Sequence, residues 1–198
     1  QKRILGLKFE VGVFTNLSHD HLDYHHDFSN YRDVKKEFFD FLAKDAVAIV
    51  NFDDKNGPYM IQNCRSKSYS YSLKTNSNYS LKILEKDLNG MKLKINNHEI
   101  WTKLIGDFNA YNILATFSLA QILNFELEKT LNKISLLNVV NGRFEKTFEN
   151  SKNQLGIVDY AHSPDSIEKV LKTLIDIKKK KSLITVIGCG GDRDIDKR

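Results

Sequence analysis

Cysteine is scarce in this chain. Cys64 and Cys189 stand far apart, which argues against a disulfide-stapled secreted scaffold and fits reduced thiols in a cytoplasmic protein. Long apolar runs are missing as well, and none approaches the roughly 20 residues that a membrane span needs. The first ten residues, QKRILGLKFE, hold no signal-peptide core. No GxxxxGK[ST] phosphate loop occurs, so the chain carries no P-loop of its own. There is no internal repeat and no low-complexity linker.

What is present is ordinary for a soluble globular protein: 41% apolar and 28% charged residues. At 198 residues the chain can build one good core or two small domains. The net charge of +5 invites a nucleic-acid reading. Most of that charge is lysine scattered along the sequence. The one tight run, Lys178 to Lys181, sits at an expected helix end, where cations offset the helix dipole. A solvated helix end is the better reading, with no nucleic-acid partner.

The most distinctive segment is FTNLSHDHLDYHHDF, Phe14 to Phe28. It gathers four of the six histidines, His19, His21, His25 and His26, with Asp20, Asp23 and Asp27. The apolar run Val11 to Phe14 places it at a strand end, where α/β folds collect ligands. Asp and His suit Mg²⁺ or Mn²⁺ through oxygen and Zn²⁺ through nitrogen. On composition alone, a metal site and a polar surface loop both remain open.

Periodicity predicts a helix through Tyr31, Val34, Phe38, Phe41 and Leu42, with Ser29 as N-cap. AVAIV (Ala46 to Val50) reads as a buried strand ending in the turn-rich NFDDKNGP. Tyr69 to Leu73, Tyr79 to Leu84, MKLKI and EIWTKLI read as a β-meander, with Asn89-Gly90 as a hairpin turn. GDFNAYN opens a helix running to Leu123, and another spans Glu126 to Leu137. FEKTF and LGIVDY read as strands, Ser163-Pro164 starts a helix, and SLITVIG reads as a buried strand. This tail reads as a β-α-β unit opening a parallel sheet. A domain boundary is expected near Asn141. Both ends look cut, as in an internal piece of a longer protein.

Four motifs occur in order: FTNLSHDHLDYH with Tyr31 and Lys35 downstream, IGDFNAYNILAT, VNGRFE, and VDYAHSPDSIEKVL followed by VIGCGGDRDIDKR. Together they resemble the Mur ligases, nearest to the branch that builds the peptidoglycan tripeptide. DHLDYH and DYAHSPD argue against the folylpolyglutamate and cyanophycin synthetase-like branches. The resemblance implies an α/β fold. Residues 1–141 would be the second part of a P-loop-type central, ATP-binding domain with a β-meander. Residues 142–198 would be the truncated start of a Rossmann-like C-terminal domain. It also implies a monomeric parent enzyme and an ATP-dependent amide ligation. ATP phosphorylates the D-glutamate side-chain carboxylate of UDP-MurNAc-dipeptide, and the amine of meso-diaminopimelate or L-lysine attacks the acyl phosphate. Bringing anions together places most of the catalysis on Mg²⁺ and cationic side chains.

The resemblance also assigns residues. His21 would ligate Mg²⁺, while His19, His25 and His26 gain no role. Lys35 falls at the position of a carbamylated lysine, whose anionic oxygens suit a second Mg²⁺; otherwise it is a solvated lysine on a polar helix face. Asn109 and Asn112 would meet the nucleotide, or simply cap their helix. Arg143 would reach ATP phosphates from the domain junction, or form an inter-domain salt bridge. Asp159 would accept from the ribose. Arg193 would meet the acyl phosphate, and Gln1 and Arg3 the UDP-sugar-peptide. Without its phosphate loop, the chain alone is expected neither to bind ATP well nor to catalyse.

Overall fold

Alternation builds the first strand, β1 (Val11–Phe14). Val11 and Val13 turn toward one core and Phe14 toward the other. In β2 (Val47–Asn51) the same alternation sends Ile49 one way and Ala48 and Val50 the other, as in a strand covered on both faces. The computed structural model describes residues 6–18, 27–150 and 154–188. The remaining strands of the main sheet are β3 (Lys67–Ser72), β4 (Tyr79–Asp87), β5 (Gly90–Ile95) and β6 (His98–Thr102).

These form a six-stranded sheet in the order β1-β2-β3-β4-β5-β6. Pairing is parallel from β1 to β4 and antiparallel from β4 to β6. The expected meander is therefore β4 to β6 alone, and β3 belongs to the parallel half. The β3–β4 join is short, Tyr71 opposite Tyr79 and Ser72 opposite Ser80. Beyond it the Asn78 side chain takes over, its Oδ1 accepting from the Ser70 N–H at 2.9 Å. The carboxyl ends of β1, β2 and β3 all open on one side.

Helices cover both faces. On one lie α1 (Phe28–Asp40) and the short α2 (Gly57–Met60). The N-cap of α1 is Asp27, not Ser29. Its carboxylate accepts from the Asn30 N–H at 2.7 Å and adds negative charge at the positive helix end. Gly12 lets α1 approach β1, since a Cβ there would lie 2.7 Å from Phe38 Cε1. On the other face lie α3 (Asp107–Ile122) and α4 (Leu127–Ser135), with Ile113, Leu114, Phe117, Leu131 and Ile134 buried against the sheet.

After residue 141 the chain forms a separate antiparallel pair, β7 (Glu145–Glu149) and β8 (Leu155–Val158), and then α5 (Pro164–Ile177). Ser163 caps α5 in a reciprocal box with Ser166, with Pro164 at the first turn. Phe144 and Ile177 join Ile105 in a third core, which ties this part to the start of α3. The expected strand SLITVIG is a correction. Residues 182–188 carry no regular structure, and Ile184 and Val186 are 87% and 93% exposed. A strand needs a ladder partner, and among the described residues β8 pairs only with β7, so the β-α-β reading fails there.

Candidate functional site

A cleft of about 870 Å³ opens at the carboxyl ends of β1, β2 and β3, between the first turns of α3 and the β8–α5 region. That is where ligands bind in open α/β sheets, and the volume suits a small molecule.

The floor is built by three residues at the end of β2 and in the turn after it. Asn51 donates to the Thr15 carbonyl at 2.8 Å and accepts from the Asp53 N–H at 2.9 Å. Asp54 accepts from the Leu17 N–H at 2.9 Å, which fixes the exit of β1. Its other oxygen closes a turn with the N–H of Asn56 at 2.8 Å. Asp53 accepts from the Ser72 hydroxyl at 2.6 Å, the Leu73 N–H at 2.7 Å, the Lys74 N–H at 3.2 Å and the Tyr111 hydroxyl at 2.8 Å. Burial opposes its ionisation, yet these donors outweigh it and hold the carboxyl below its ordinary range. Burial and the bond to Asp53 push the Tyr111 phenol up, so it stays protonated as the donor.

The nucleotide residues expected from the motifs converge here. Asn109, Asn112, Arg143 and Asp159 all line the cleft. Asn109 sits in the first turn of α3, its amide donating to the Ile105 carbonyl at 2.8 Å. Asn112 is exposed on the same helix. The Arg143 guanidinium lies over the Tyr160 ring, 4.6 Å from its centre, a cation–π contact. Asp159 accepts from the N–H groups of Phe144 and Ala161, each at 2.7 Å. It therefore pins the Arg143 loop to the end of β8.

Lys35 is not among the residues lining the cleft. It is exposed on α1, with its ammonium 5.6 Å from the centre of the Tyr31 ring. Its neighbour Lys36 is the buried one, 6% exposed and paired with Asp40. His21, Arg193, Gln1 and Arg3 lie outside the described residues, as do His19, His25 and His26. Among the described residues no three His, Cys, Asp or Glu side chains converge on a cation site. The motifs do not single out Asn51, Asp53, Asp54 and Tyr111, which also line the cleft. The available signal was NFDD directly after a buried parallel strand.

Comparison with known proteins adds family information. Residues 1–120 match the Mur ligase middle domain, and residues 142–198 match the Mur ligase, glutamate ligase domain. The UDP-N-acetylmuramoyl-L-alanyl-D-glutamate--2,6-diaminopimelate ligase of Cytophaga hutchinsonii is 44% identical over 198 residues, 100% of this chain and 40% of that protein. The ligase of the same name from Phocaeicola vulgatus is 48% identical over 199 residues, 100% of this chain and 41% of that protein. A solved UDP-N-acetylmuramoyl-L-alanyl-D-glutamate--2,6-diaminopimelate ligase superposes with a TM-score of 0.73 at 32% identity, over 99% of this chain and 41% of that one. A MurF ligase from Thermotoga maritima, solved in complex with ADP, shares the fold with a TM-score of 0.70 at 18% identity, over 84% of this chain and 39% of that one. The chain thus spans about two fifths of the length of these curated relatives.

Proposed function

The chain belongs to the Mur ligase family, and from that premise we propose that it is part of an ATP-dependent ligase of peptidoglycan synthesis. The parent enzyme joins a diamino acid to UDP-MurNAc-L-Ala-D-Glu through an acyl phosphate. Diaminopimelate is proposed over L-lysine because the relatives are named 2,6-diaminopimelate ligases. Residues 1–141 belong to the central domain and residues 142–198 to the C-terminal domain.

The observation that carries this reading is the convergence of Asn109, Asn112, Arg143 and Asp159 on one cleft. Asn109 and Asn112 offer amide groups to a base or ribose. Arg143 brings a planar fork of donors suited to phosphate. Asp159 offers the acceptor capacity that its two backbone bonds leave. Bound ATP supplies the phosphoryl group that activates the carboxylate. The described residues do not by themselves form a Mg²⁺ site. His21 and a carbamylated Lys35 are proposed as its ligands, Arg193 as the contact to the acyl phosphate, and Gln1 and Arg3 as contacts to the UDP-sugar-peptide.

The test is an assay of the full-length enzyme. Phosphate release is expected to require both UDP-MurNAc-L-Ala-D-Glu and meso-diaminopimelate, with L-lysine at background. Tight Mg-nucleotide binding without ligation of any amine would instead favour a non-catalytic nucleotide-binding module.

A further inference from the structure

Asp53 gathers donors from three places: the end of β3 through Ser72, the backbone of residues 73 and 74, and Tyr111 on α3. Tyr111 comes from 58 residues away. The Ser72 hydroxyl gives its one proton to Asp53, and its oxygen accepts from the N–H groups of Lys74 at 2.9 Å and Thr75 at 2.7 Å. The carboxylate thus controls a closed network and not a single turn. Three members of that network, Asp53, Lys74 and Tyr111, line the cleft that Asn109 and Asn112 also line. With its hydroxyl tied to Asp53, Tyr111 is anchored at both ends, by its backbone in α3 and by its phenol.

We propose that Asp53 is a positioning residue of the nucleotide site, acting through Tyr111 and the turn that bears Lys74. The inference rests on the reading of this cleft as the nucleotide site. From the cleft floor Asp53 holds Tyr111 and the Lys74 turn in place before ligand arrives, so that binding does not have to supply the ordering. Asp53→Asn replaces the acceptor-only carboxylate with an amide. The amide cannot accept at both positions, and it sets an N–H₂ against either Ser72 or the Tyr111 side.

The experiment titrates ADP into the full-length enzyme by calorimetry, with KM for the UDP-dipeptide measured in parallel. Asp53→Asn is expected to weaken ADP by about tenfold, the equivalent of one lost charged hydrogen bond. KM for the UDP-dipeptide should stay unchanged. Tyr111→Phe, which removes only the hydroxyl, should weaken ADP in the same direction and add little on top of Asp53→Asn, because the two share one bond. Wild-type ADP affinity in a folded Asp53→Asn variant overturns the proposal. Should that variant fail to fold, wild-type affinity in Tyr111→Phe overturns it equally. Asn112→Ala and Arg143→Ala separate the two ideas. If both leave ADP affinity intact, the nucleotide reading falls and takes the proposal with it. If they weaken ADP while the Asp53 and Tyr111 variants do not, only the positioning role is lost.

Discussion

Among single residues, Asp53 has the clearest pH signature. Its folded carboxyl titrates below the ordinary aspartate value of about 4. A depressed carboxylate contributes stability that is present above the unfolded value and lost as pH falls through the folded one. Asp53→Asn should therefore flatten the acid limb of a pH–stability curve, and thermal melts from neutral to acid pH will read it. At neutral pH the same variant is expected to lose about 1–3 kcal/mol, the cost of leaving buried donors without a charged acceptor. Lys35 and Lys36 form a second contrast. Lys35→Ala should abolish ligation by the full-length enzyme at unchanged melting temperature, and a short carboxylate such as acetate should partly restore turnover. Lys36→Ala removes the partner of Asp40 and should lower stability by about 1 kcal/mol while the enzyme stays active. The reverse pattern would place the functional lysine at 36. Asn109, Asn112, Arg143 and Asp159 could be picked out from sequence because each sits in a recognisable motif. Asp53 could not, because its importance comes from a bond to Tyr111 across 58 residues, and no local pattern records that.

At the scale of elements, local rules read well where the signal was local. Ser163-Pro164 announced α5, Asn89-Gly90 the β4–β5 hairpin, and the GDFNAYN start the helix α3. The misses share a cause: strand propensity does not say which neighbour a strand will meet. Tyr69 to Leu73 reads as one strand of a meander, yet β3 pairs parallel with β2. SLITVIG has the composition of a buried strand, yet residues 182–188 have no ladder to join among the described residues. The turn after β2 is the element most sensitive to change. Gly57 faces the Asn51 carbonyl oxygen so closely that an added Cβ would collide with it. Gly57→Ala should cost about 3 kcal/mol by forcing backbone to move, and it should weaken ADP binding because the same turn carries Asp53 and Asp54. Urea unfolding and ADP titration of one preparation check both effects.

For the whole molecule, the relation between the two domain-sized parts matters most. They meet through the Ile105, Phe144 and Ile177 core and through Lys86, whose ammonium reaches Asp176 at 2.8 Å and Asp107 at 3.3 Å. Burial opposes the charge on Lys86, but its two carboxylate partners raise its pKa. These pairs are partly solvated, so each is worth less than about 1 kcal/mol to global stability. Their effect should be local. Lys86→Ala in the full-length enzyme is expected to speed amide exchange in α5 and leave β2 and β3 unchanged. Equal exchange in α5 of wild type and variant would show that the apolar core alone holds the junction.

The main sheet also has a history written into its order. Its strands are neighbours in space in the same sequence as along the chain, so each new strand can dock on one already in place as synthesis proceeds. The cleft does not share this economy. Tyr111 must travel back to Asp53, and Arg143 and Asp159 arrive later still. A nascent chain stopped at β6 would hold these six strands and lack the cleft, so recognition there waits for Tyr111, Arg143 and Asp159 to be made.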